Sequence, residues 1–359
     1  MIPEQVKPFL LHEESIIRRF AASYLSDGMI YDNDILPMLI KAYRMEKDKD
    51  FSGYIAMHMR EFLQDLDSVL QLDRLARNVA KDRYHFEAAL AYGDIELILS
   101  STNKIYLSDT DLQHILKLRV QWHRQSTADL WDEFVGMCDT AKNDYDNFKF
   151  IRAKSLCEDL CKRQDIPMDE IHPWFEKFSW KKPDFDEVFL CLLAGNLKLA
   201  QYVEILVRCL SYDWDFINEE SMYALTKIAT PEVVNKIVEF YPKGNSTFKI
   251  FGSGVLEDTK IKEAEDAIIH LFMNEKDFEY RSLLIFGLCN QVSVKALDLG
   301  VPMLPDGYDK TIDSLEENLY CVSIMNGLNP PQLSDWKRAC EESDAKTKHV
   351  RKKVYSYQW

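Results

Sequence analysis

The chain has 359 residues, 47% of them hydrophobic, and carries 59 Asp and Glu against 44 Lys and Arg, for a net charge of −15. With only 12 Gly and 12 Pro and no alternating Val/Ile series, composition argues against an all-β fold and for an all-α one. The acidic balance weighs against nucleic acid as a partner, because phosphates call for Lys and Arg along their path.

From the N-terminus, residues 3–46 form one predicted helical hairpin. Ile16, Ile17, Phe20, Ala21, Tyr24 and Leu25 share a stripe, Asp27-Gly28 closes the first helix, and Ile35, Leu36, Leu39, Ile40 and Tyr43 face inward from the second. A looser pair follows over 51–82, with Val69, Leu72, Leu75, Ala76 and Val79 as the stripe of its latter helix. From 84 to about 177 helical periodicity persists without a clear repeat, and Pro167, Pro173 and Pro183 mark 165–184 as a connector. The first half is therefore placed at 1–165.

A paired-helix repeat returns over 184–300. Leu192, Leu225, Val255 and Leu288 mark equivalent positions about 30–33 residues apart, and Ile205-Leu206, Ile237-Val238 and Ile268-Ile269 do the same in the second helices. Gly195-Asn196 is the predicted left-handed helix end, and Thr230-Pro231-Glu232 reads as cap, first helical proline and favourable acid. Residues 301–343 read as a helical cap and 344–359 as a basic, aromatic tail. One continuous all-α superhelix, a solenoid of stacked hairpins, is expected. No apolar run approaches the ~18 residues that span a bilayer, and Glu4, Lys7, His12 and Glu13 interrupt any signal-peptide pattern, so a cytoplasmic protein is expected.

Arg18 and Arg19 precede "FAASYL", "ILPMLIKAY" follows, and "EYRSLLIFGLC" sets Arg281 in the matching place. This pattern, with "FKIFGSGVLEDTKIKEAEDAIIHLF", resembles the HEAT-repeat (HEAT-like, armadillo-type) class, including bacterial members of unassigned function. The resemblance covers about half of the chain and implies an α–α superhelix that binds other macromolecules. No catalytic residues come with it.

Motifs that carry chemistry are sparse. There is no CxxC, HExxH or GxSxG, and Gly252-Ser253-Gly254 lacks the remainder of a phosphate loop. The eight cysteines, Cys157 and Cys161 among them, read as small core residues, and the histidines are scattered. Asp32/Asp34 and Asp144/Asp146 lack the rest of a calcium loop and read as turn residues. No catalytic, cofactor or metal site is expected. Partner-binding candidates are Trp174, Trp180 and Trp214, because aromatics anchor interfaces, and Lys352 and Lys353 of the tail. The expected function is a non-enzymatic scaffold gripping a protein partner along second helices at 33–45, 197–210, 231–241 and 261–273. The alternatives are a helical-repeat enzyme, of DNA-base glycosylase or chromophore-lyase type, and an accessory protein touching RNA through its tail.

Overall fold

The computed structural model describes residues 1–101, 105–143, 147–178, 183–305 and 307–356, the side chains of 50, 142–143, 147–149 and 347–356 excepted. Among the described residues the fold is all-α, with no strand. The helices are α1 Pro3–Val6, α2 Ser15–Asp27, α3 Ile35–Met45, α4 Lys49–Met57, α5 Leu66–Asn78, α6 Arg83–Tyr92 and α7 Ile95–Ser100. They continue as α8 Thr110–His123, α9 Thr127–Asn143, α10 Asn147–Leu160, α11 Met168–Glu176, α12 Phe185–Asn196, α13 Val203–Cys209 and α14 Asp215–Ile228. The last seven are α15 Pro231–Phe240, α16 Ser246–Asp258, α17 Lys262–Asn274, α18 Phe278–Asn290, α19 Lys295–Gly300, α20 Leu315–Met325 and α21 Leu333–Ser356. No helix among the described residues is long and apolar enough to cross a membrane.

Sequential helices pack in pairs, α5 on α6, α9 on α10, α13 on α14, α17 on α18 and α20 on α21, as an α–α superhelical arrangement requires. Two compact units result, one of residues 1–62 with 256–359, the other of residues 63–255. In the second unit α6, α8, α10, α12 and α14 pack each on the next, giving a continuous layer. In the first, α2 packs on both α4 and α20. Its core draws Ile17, Leu25, Leu36 and Ile40 from the leading hairpin and Ile285, Leu288, Leu319 and Val322 from the C-terminal helices.

Several helix starts obey the capping rule. The side chains of Asp65, Asp94, Asp109, Asp184 and Asp277 each accept a first-turn N–H, and Asp184 forms a full capping box with Glu187. Thr230 occupies the cap position ahead of Pro231, but its hydroxyl makes no cap bond and is buried without a partner.

Helix ends depart from the glycine expectation. Left-handed backbone is carried by Met29, Lys198, Ala229 and Val292, with φ of 49°, 52°, 48° and 52°. Three of these close six-to-one bonds, Ile30 N–H to Leu25 O, Leu199 N–H to Ala194 O and Ser293 N–H to Leu288 O, and Gly327 closes a fourth from Leu328 to Ser323. The glycines nearby serve packing. A Cβ on Gly195 would lie 2.7 Å from Ala224 Cα, so this residue sets the approach of α12 to α14. One on Gly28 would lie 2.6 Å from Lys260 Cγ. Gly252-Ser253-Gly254 lies inside α16, where Ser253 meets the Tyr241 hydroxyl at 3.1 Å.

Candidate partner-binding site

In the unit of residues 63–255, α5 and α8 face one hollow of about 1100 Å³. Each contributes a stripe of one helical period, Leu70, Asp73, Arg74 and Arg77 from α5 and Gln113, Leu116, Lys117 and Val120 from α8. Ile105, Tyr106 and Leu107 complete the lining. Both helices already bury another stripe, Val69, Leu72 and Ala76 in α5 and Leu112, Ile115 and Trp122 in α8. The stripes toward the hollow are mixed, with the apolar Leu70, Leu116 and Val120 half-buried and Arg74, Arg77 and Lys117 exposed.

The wall at 105–109 is fixed by side chains. Asp73 accepts the Tyr106 N–H at 2.8 Å with one oxygen and Arg77 Nε at 2.8 Å with the other. That carboxylate raises the pKa of the Arg77 guanidinium further, and the guanidinium lies 5.3 Å from the Tyr106 ring centre. Gln113 donates to Leu107 O at 2.9 Å. The buried Glu87 accepts from the Ser108 hydroxyl at 2.6 Å and the Asp109 N–H at 2.9 Å, and Asp109 in turn caps α8. The result is an apolar floor with a cationic rim.

A second cavity, of about 340 Å³, lies in the unit of residues 1–62 and 256–359 and is polar. Asp27, Glu257, Asp258, Asp313 and Glu317 line it with Arg19, Lys260, Tyr24 and Tyr54. Ile16 and Phe20, expected inward, border this cavity and stay half-exposed. Lys260 works as a pin. Its ammonium donates to Glu257 O at 2.7 Å and Asn290 O at 3.2 Å, the carbonyl ends of α16 and α18, and sits 4.5 Å from the Tyr24 ring centre. Burial pushes this ammonium below its ordinary pKa and pushes the Glu257 and Asp258 carboxyls up. Arg19 holds Asp344 through two bonds of 2.7 and 2.9 Å and lies 4.0 Å over Phe51. Among the described residues no group of three or more His, Cys, Asp or Glu side chains converges as metal ligands would.

The tryptophans singled out by sequence lie in an aromatic seam. Trp174 meets Trp131 edge-on at 6.1 Å and Phe134 at 6.4 Å, while Trp214 meets Phe185 at 5.3 Å and Phe216 at 6.1 Å. Both are half-buried and they do not touch each other. Trp180, Asp144, Asp146 and the side chains of Lys352 and Lys353 lie outside the described residues. The ranges 33–45, 197–210, 231–241 and 261–273 line neither cavity. Of the arginines, Arg18 is buried, bonds His12 O and Glu13 O at 2.8 and 2.9 Å, and pairs with Glu46 at 2.5 Å. Arg281 instead lies 4.7 Å from the Phe272 ring centre. Seven cysteines are buried and Cys161 is half-buried, its sulfur 3.9 Å from that of Cys157.

Sequence reasoning did not single out Leu70, Arg74, Leu116 and Lys117. On α8 the signal was the apolar Leu116 and Val120 beside the core-facing set, whereas on α5 Leu70 is the one apolar member of its stripe and spacing marks nothing there.

No family model matches this chain, and no curated protein matches it. Among solved structures, the crystal structure of an engineered protein is similar at 13% identity over 89% of this chain and 88% of that one, with a TM-score of 0.30.

Proposed function

We propose that this protein is a non-enzymatic interaction scaffold of HEAT-like type that binds a protein partner at the hollow between α5 and α8. The observation that carries the reading is the hollow's lining. Six apolar side chains, Leu70, Ile105, Tyr106, Leu107, Leu116 and Val120, stand together at the surface with three cations beside them. A contiguous open apolar patch with a polar rim is the mark of a protein-binding surface.

The glycosylase alternative asks for a cleft that admits a phosphate chain. In the polar cavity five carboxylates outnumber Arg19 and Lys260, and both cations are already engaged. That charge balance repels phosphate and lends the alternative no support.

The test is affinity capture from the native cell extract with the unaltered protein and with Leu116→Asp, at low and moderate salt. Leu116 is half-buried in the lining and outside the core-facing stripe of α8, so its substitution spares the core. The expected result is a stoichiometric protein that survives moderate salt and is lost from the variant. An identical set of captured proteins from both would overturn the reading.

A further inference from the structure

We propose that Cys157 and Cys161 form a redox-active dithiol, a modification site at which a peroxide closes a reversible disulfide. The two sulfurs stand 3.9 Å apart, one turn from each other at the C-terminal end of α10.

Exposure divides the roles. All eight cysteines are free thiols and Cys161 alone is not buried, so an oxidant arriving from solvent meets it first. Cys157 is fully buried. Contact with the Cys161 sulfur, together with burial, holds the Cys157 thiol well above its ordinary pKa. It therefore keeps its proton at neutral pH and is shielded from direct oxidation. Cys191 and Cys209 also lie side by side, but both are buried. A half-buried thiol in contact with a second thiol occurs at Cys161 alone.

The chemistry balances in two steps. The peroxide transfers one oxygen to the Cys161 thiol, giving a sulfenic acid and releasing an alcohol, or water from hydrogen peroxide. The Cys157 sulfur then attacks the Cys161 sulfur. The S–S bond forms, the S–OH bond breaks, and the Cys157 proton leaves with the hydroxyl as water.

Helix geometry makes the bridge reversible. Side chains four apart on a helix hold their Cβ atoms ~5–6 Å apart, whereas a relaxed disulfide needs ~3.5–4.5 Å. Closure must draw the segment in by on the order of 1 Å. The segment can give there, because Cys161 lies one residue past the last residue of α10, its N–H on Cys157 O at 2.9 Å. A disulfide held off its relaxed geometry is readily reduced, as regulatory bridges are. The same segment ties α10 to α8. Asp159 holds Arg119 at 2.8 Å, and Arg163 donates to Trp122 O and Gln125 O at 3.0 and 3.3 Å. Oxidation is thereby transmitted to the end of α8.

Trypsin cleaves after Lys154 and Lys162, so both cysteines fall in one peptide, 155–162. The full-length reduced protein is treated with hydrogen peroxide, remaining thiols are alkylated after denaturation, and that peptide is read by mass spectrometry. The expected product is the unalkylated peptide short of two hydrogens, returned by glutathione to the doubly alkylated form. In Cys157→Ala, Cys161 halts at the sulfenic acid and is trapped by dimedone. In Cys161→Ser, Cys157 stays alkylatable. Circular dichroism confirms that both variants are folded. A treated peptide still alkylated at both positions would overturn the dithiol, as would a sulfenic acid on Cys161 of the unaltered chain beside an alkylatable Cys157. A disulfide that resists glutathione would overturn its reversibility. Amide hydrogen exchange over residues 119–125 should quicken about twofold or more on oxidation. Unchanged exchange would overturn the transmission to α8.

Discussion

Arg119 joins three helices of the 63–255 unit. From α8 it donates to Ala91 O and Gly93 O at 2.7 and 2.8 Å, the end of α6, and grips both oxygens of Asp159 on α10 at 2.8 Å. Removing the guanidinium would strip those carbonyls and leave Asp159, in a largely dry site, with only the exposed Lys162 ammonium at 3.3 Å. Arg119→Met is therefore expected to cost roughly 3–5 kcal/mol in a urea unfolding transition, with part of the loss recovered when Asp159→Leu is added. A loss below ~1 kcal/mol would show that the pair adds nothing beyond a surface ion pair. The same carboxylate gives a pH signature. Burial pushes the Asp159 carboxyl up, but bonds from Arg119 outweigh it and hold the group below its ordinary value of 3.8. Glu46 follows the same balance, with Ser15, the Asp48 amide and Arg18 holding it below 4.5. Folded pKa values below the unfolded ones mean that the unfolded chain binds more protons in that window. The stabilisation is thus complete above pH 4.5 and is lost as the pH falls through and below 3.8. Melting temperature measured against pH should drop there, and less steeply in Arg119→Met; parallel curves would refute the assignment. None of this was readable in the sequence, because Arg119 and Asp159 belong to different helices and nothing local marks them as partners.

At the level of helices, hairpin stripes were legible because apolar spacing reports the buried arc directly. Ile17, Leu25, Leu36, Leu39 and Ile40 are fully buried, as their spacing requires. Turn chemistry was less legible, because glycine has two uses that sequence cannot separate. Gly195 is placed for close approach, and Lys198 bears the left-handed turn three residues later. Two opposite expectations follow. Gly195→Ala puts a Cβ against Ala224 backbone and should destabilise by about 1–3 kcal/mol. Ala229→Gly relieves a left-handed alanine and should stabilise by up to ~1 kcal/mol. Chemical denaturation of both variants settles the division of labour, and a stabilising Gly195→Ala would contradict it.

For the molecule as a whole, composition and periodicity sufficed for an all-α chain of paired helices, but the candidate site lay beyond them. Leu70 and Leu116 are separated by two helices, α6 and α7, and line one hollow only through packing, and each sits on a helix that already has a core-facing stripe. Trp174 and Trp214, singled out because aromatics anchor interfaces, are half-buried members of an aromatic seam. The most direct test of docking at the hollow is photo-crosslinking in the native host, with a benzoylphenylalanine placed at Val120 and, as control, at Met273 of α17, which is 67% exposed. A discrete protein adduct at Val120, absent at Met273 and lost when Leu116→Asp is added, is expected. No adduct at Val120, or the same adducts from both positions, would contradict docking at the hollow.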